Sequence, residues 1–257
     1  MARLFLWLTI GLGLALWVGR VAEGRPVVAG STRSVPVPVE QPAIPSPAKA
    51  GLRPAEERTP LIARLAKAES RRRLVLAGSS VYLDSLFRGS DSVIRRWGEG
   101  AVVRVLIRRP PEALAVVDAV GEALRTWQDL RLGPTLVETR DSLEANLVVA
   151  WVPAWGSDSG AGRTGLADVR VDDNGEIRLV RISLARADGT GRVLGLEETR
   201  SIALHEFGHS LGLPHSGSQS DIMYPMVSVE RLSDRDRSSA RLLYSIPPGS
   251  LRDSLVP

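Results

Sequence analysis

The feature that most constrains this chain is the placement of its three histidines. All of them fall within one segment, HEFGHSLGLPHS, as His205, His209 and His215. A separation of four puts His205 and His209 one turn apart on the same face of a helix. The segment must therefore be helical if the two rings are to act together. Gly212 follows shortly after, and glycine takes the left-handed backbone that a sharp exit from a helix requires. Beyond that turn His215 can come back to the first two. Three neutral imidazole nitrogens leave one position open on a tetrahedral zinc ion, which is the catalytic kind of site rather than the structural kind. Glu206, beside the first histidine, can hold a water at such a metal without ligating it. The plainer alternative is three ordinary histidines at satisfied or surface positions. Histidines placed at random would meet both spacings on the order of once in ten thousand chains.

Composition removes several other chemistries. With no cysteine among 257 residues, disulfide scaffolds, cysteine nucleophiles, iron–sulfur clusters and thiolate zinc sites are excluded. Lys and Arg number 33 against 29 acids, and only Lys49 and Lys67 are lysines. The arginine excess fits either a compositional bias or attraction to anionic envelope polymers. Aromatics are not interleaved with the basic residues, so no nucleic-acid partner is expected.

The N-terminal region reads as a leader. Residues 4–18, LFLWLTIGLGLALWV, form an apolar run between Arg3 and Arg20, the pattern of a secretory signal. The run is shorter than the ~20 residues of a comfortable membrane span. Both a cleaved signal peptide and a retained signal-anchor over 1–24 stay open, and either exports the rest of the chain. Residues 25–60 hold eight of the 17 prolines, so 25–54 is expected to be an extended Pro-rich linker. Residues 55–90 are expected to be a helical extension or a prosegment. A helix from about Pro60 would carry Leu61, Ile62 and Leu65 on one side. Residues 247–257 read as a flexible tail.

Between these ends, strand and helix patterns alternate. AVVRVLI (101–107) and NLVVAWV (146–152) read as strands, and 111–130 as a helix carrying Leu114, Val117, Val120, Leu124 and Trp127 at helical spacing. GLADVRV (165–171) and EIRLVRISLA (176–185) flank an Asn-Gly turn and read as a hairpin. Helices are expected over about 196–211 and 233–243. The second would be capped by Ser233 with Asp236 three residues on. The mixture gives an α+β class, an α/β-type sheet with helices packed on it.

His-Glu-x-x-His-x-x-Gly-x-x-His resembles the metzincin zinc endopeptidases. DIMYP (221–225) looks like their tight methionine turn, with Met223 beneath the metal, and Ser216 after His215 resembles the matrixin branch, the matrix metalloproteinases and their bacterial relatives. More weakly, the resemblance extends over residues 92–246. It implies a matrixin-like catalytic domain over 91–246, with a twisted, mixed five-stranded sheet, an active-site helix and a C-terminal helix. It also implies His205, His209 and His215 as zinc ligands and Glu206 as general base toward a zinc-activated water. LADV (166–169) looks like the edge strand on which an extended substrate pairs, through the backbone of Leu166 and Ala167. The expected partner is a protein or peptide, and the expected state is an exported monomer, secreted or tethered through residues 4–18.

The chain departs from that pattern in places. No histidine remains for a second, structural zinc, and Asp168 stands where one is expected. Asn146 replaces a calcium-binding aspartate, so calcium rests on loop residues Asp158, Asp172, Asp173 and Asp188, for which turn chemistry is the plainer role. A cysteine latch over the zinc is impossible. Val227 stands in place of a specificity-pocket tyrosine, and Arg235 at a usually acidic position. The Tyr224 hydroxyl could assist at the metal or be structural. Two further readings stay open: a non-catalytic protein-binding module on the same fold, and a zinc hydrolase acting on cell-wall peptide crosslinks.

Overall fold

The computed structural model describes residues 55–84, 86, 92–110, 115–155 and 162–252. The expected signal segment, the Pro-rich linker and Asp158 lie outside them. No helix among the described residues is long and apolar enough to cross a membrane.

The elements run in the order α1 (Ala55–Ala77), β1 (Val93–Ile94), β2 (Val102–Ile107), α2 (Ala115–Gln128), β3 (Thr135–Glu138), β4 (Leu147–Val152), β5 (Gly165–Val171), β6 (Ile177–Ala185), α3 (Leu196–Ser210), α4 (Asp234–Tyr244) and β7 (Gly249–Ser250). Five strands form one sheet in the order β3-β2-β4-β6-β5. Neighbours are parallel except β5, which pairs antiparallel with β6. This is the mixed five-stranded sheet that the resemblance implies. The hairpin forms around Gly175, whose φ of 78° is the left-handed conformation the turn needs.

One face of the sheet carries the core. Val103, Val105, Leu136, Leu147, Val149, Val180, Ile182 and Leu184 are buried in alternation with exposed neighbours such as Val102 and Arg104. Helices α2 and α3 pack on one another, with α2 against β2 and β3 and α3 against β5 and β6. Three aromatic side chains fix α3. Trp127 donates through Nε1 to Leu204 O at 2.8 Å, Trp97 through Nε1 to Ser210 O at 2.9 Å, and Tyr244 through its hydroxyl to Leu211 O at 3.0 Å. The last two satisfy carbonyls that a helix end leaves without partners.

Both ends of the described chain are built into the fold. The helical extension expected from residue 55 is present as α1. Leu74, Val81, Tyr82 and Leu83 are in the same buried core as the sheet, because α1 and the turn after it lie along the C-terminal part of the chain. Arg73 donates to Ser245 O at 2.8 Å and Lys67 to Arg252 O at 2.8 Å. Leu61, Ile62 and Leu65, expected on one side of this helix, are exposed. The tail expected from 247 is also partly built in. Gly249–Ser250 pairs antiparallel with Val93–Ile94, the Leu251 N–H donates to Ser92 O at 2.9 Å, and Leu251 is buried in the core.

Candidate metal centre

Helix α3 brings His205 and His209 to one face, and the chain after it returns His215 to them. The turn leaves no choice at Gly212. Its φ is 96°, and a Cβ there would lie 1.9 Å from Arg95 O. The Nε2 atoms of His205 and His209 are 3.0 Å apart, and those of His209 and His215 3.1 Å. Among the described residues these three are the one group of His, Cys, Asp or Glu side chains that converges in this way.

The second ring nitrogens decide what the cluster can hold. His205 Nδ1 lies 2.7 Å from Ile222 O, and His209 Nδ1 2.8 Å from Leu213 O. A carbonyl only accepts, so both Nδ1 atoms carry the proton and both Nε2 atoms present bare lone pairs. Lone pairs facing one another at this distance need a cation between them. Nitrogens bound tetrahedrally to zinc at ~2.0–2.1 Å lie about 3.3 Å apart, close to what is seen here. Burial suppresses the charged form of the rings, lowering His205 to about 4 and His209 to about 3 and also lowering His215. Neutral imidazoles are what a metal requires. His205 is buried and His215 exposed, so the cluster opens to solvent on one side.

Met223 is fully buried, and its carbonyl accepts from the N–H of Ser216, next to His215, at 2.8 Å. A Cβ on Gly208 would meet its sulfur at 2.2 Å. The turn holding Met223 is braced from below by two buried carboxylates. Asp236 accepts from the Tyr82 hydroxyl, the Ile222 N–H and the Ser233 N–H, each at 2.8 Å. Asp221 accepts from Ser233 Oγ and Arg235 Nη1, each at 2.7 Å, and from Ser216 Oγ. The Ile222 carbonyl holds His205, and Ser216 follows His215. Both braces therefore end next to metal-facing residues. Ser233 also caps α4 as expected, accepting from Asp236 N at 3.0 Å.

Glu206 is also buried, yet its Oε2 has no partner. Burial pushes its carboxyl up to about 8, against the opposing pull of the Arg163 charge and of the Ala167 N–H directed at it. It lies against Gly165 at the start of β5, the edge strand that carries Leu166 and Ala167. One expected substrate-pairing residue, Ala167, is therefore already turned toward the candidate base, while Leu166 is exposed.

Two of the loop acids expected as calcium ligands, Asp172 and Asp188, serve their turns. Asp172 accepts from the N–H groups of Asn174 and Glu176 and pairs with Arg178 at 2.6 Å. Asp188 accepts from Thr190 and Arg192. Asn146 Oδ1 accepts from the Arg104 N–H at 2.6 Å, a sheet contact. Asp168 sits in β5 opposite Arg181. Val227 packs against the core, and Tyr224 is half-buried. Arg235 is explained by its ion pair with Asp221. The sequence reading did not reach Tyr82, Arg163 or Gly165. A glycine opening an edge strand was the one visible signal among them.

Residues 183–245 match the matrixin (Peptidase M10) family model. The chain is 31% identical to human matrix metalloproteinase-26 over 149 residues, which is 53% of this chain and 54% of that protein. It is 33% identical to the hatching enzyme of Paracentrotus lividus over 142 residues, 52% of this chain and 23% of that protein. The match thus spans about half of the first relative and about a quarter of the second. Taken with the histidine geometry and the mixed sheet, these likenesses make the chain a matrixin-like metzincin.

Proposed function

We propose that this chain is a zinc-dependent endopeptidase that hydrolyses peptide bonds of protein substrates. The observation that carries the reading is the contrast within α3. Two imidazoles turn bare nitrogens toward a third, and the carboxylate between them in sequence keeps an oxygen free of partners. His205, His209 and His215 are the residues that would hold the ion. Zinc bound there supplies Lewis acidity, polarising a substrate carbonyl and making water easier to deprotonate.

The chain's own groups do the rest. The exposed edge of β5 aligns the substrate as an added strand. Glu206 Oε2 takes a proton from the attacking water and delivers it to the leaving amide nitrogen. Burial raises the proton affinity of this carboxyl, so its carboxylate form accepts a proton readily. The Ile222 and Leu213 carbonyls hold the rings of His205 and His209 in the ligating tautomer. Met223 and the braced turn keep the floor of the site fixed. We further propose that residues 1–24 export the domain and that 25–54 tether it at a distance.

The test is cleavage of casein by the full chain beside Glu206→Ala, with zinc measured on both. Zinc in both and cleavage only by the parent supports the peptidase and its base together. Zinc in both and cleavage by neither would favour a protein-binding module. Correctly folded protein that takes up no zinc would overturn the reading.

A further inference from the structure

Gly165 opens β5, an edge strand where a side chain would ordinarily be an advantage, because glycine weakens a strand and packs nothing. Its backbone does not explain it. Gly165 is absent from the described glycines with positive φ, so its conformation suits any residue. Space explains it instead. A Cβ at 165 would lie 2.2 Å from Glu206 Oε1, 2.7 Å from its Cγ and 2.8 Å from its Cδ. These three nearest atoms all belong to one side chain, and each is closer than packed atoms come.

We infer that Gly165 is a positioning residue for Glu206: the missing side chain is the space in which the base sits, under the strand that receives the substrate. This rests on the peptidase reading for its kinetic consequence, but the contact itself does not. The backbone of α3 cannot yield, since Trp127 and Trp97 hold its carbonyls and His205 and His209 are tied at Nδ1. What can yield is the Glu206 side chain from Cγ outward. A methyl group at 165 should therefore leave fold and metal site in place and push the carboxylate off its line to the substrate. A displacement near 1 Å is enough to matter to a general base.

The experiment is a double-mutant cycle in the full chain, with Gly165→Ala, Glu206→Ala and both together. Zinc content, kcat and KM on a casein-derived peptide, and Tm of the metal-free protein are measured for each. We expect Gly165→Ala to keep its zinc and a KM within about threefold, while kcat falls about 100-fold, the scale of a mispositioned general base. Adding it to Glu206→Ala should cost no further turnover, because both act through one group. Its Tm loss in the parent should vanish in the Glu206→Ala background, where the methyl has room. An undiminished kcat, or an equal Tm loss in both backgrounds, overturns the inference. If the parent cleaves nothing, the peptidase reading fails and the Tm cycle still decides the role of Gly165.

Discussion

Among the described residues three carboxylates are buried near the histidine cluster, and they are treated in opposite ways. Asp221 and Asp236, under the methionine turn, are fully enclosed and each takes three donors. Glu206, above on α3, is nearly as enclosed and keeps one oxygen without a partner. A buried polar group normally finds its hydrogen bonds, and an exception needs a reason. The satisfied pair holds a shape. Under the proposed function, the unsatisfied carboxylate is the one that exchanges a proton.

That contrast can be broken most directly at Glu206. Glu206→Ala should lower kcat by about 10²–10⁴-fold, as loss of a general base does, while zinc binding persists. Stability should move the other way. A carboxyl raised from 4.5 to about 8 binds a proton in the folded state that the unfolded chain has released. Above about pH 6.5, where the histidines no longer titrate, the metal-free protein therefore loses stability as pH rises toward 8. Glu206→Gln should flatten that slope, read from Tm against pH. An unchanged slope would mean that the carboxylate is not the strained group described.

Asp236→Ala should show the opposite behaviour, with folding failing before chemistry does. It orphans the Tyr82 hydroxyl and two buried N–H groups, for a loss of about 3–5 kcal/mol in denaturant unfolding. A loss below about 1 kcal/mol would erase the distinction between the two kinds of carboxylate. Asp221→Asn should cost less, about 1–3 kcal/mol, since Arg235 remains partly in water. Tyr82→Phe removes one hydroxyl and should cost about 1–1.5 kcal/mol, with zinc still bound.

At lower pH the histidines add an effect of the other sign, and together they outweigh Glu206 there. Their lowered values mean the folded chain resists protonation while the unfolded chain accepts it. Metal-free stability should therefore fall as pH drops from about 6.5 toward 4. Zinc should oppose that fall by binding only the folded form.

The parts of this molecule legible in the sequence are those written in short-range spacing. The rise of α3 places His205 and His209, Asn-Gly marks the hairpin, and Ser233 with Asp236 marks the start of α4. What stayed hidden depends on residues far apart in the chain. Tyr82 meets Asp236 across 154 positions, and Gly249 meets Ile94 through a two-residue strand too short to carry a periodic pattern. Gly165 was readable as a glycine, but what excluded a side chain lay on α3. Arg235 looked like a departure when read alone and makes sense only beside Asp221.

Leu83 is completely buried, and the strand beginning at Val93 lies in the same body. Cutting the chain between them would thus divide the protein without dismantling it. The piece carrying Leu74, Val81, Tyr82 and Leu83 would stay on as a ligand of the remainder, held by the same contacts that now join them. Such a nick would show in a denaturing gel and pass unseen in a sizing column. Maturation by cleavage at that point would leave an unlinked subunit in place of a released inhibitor.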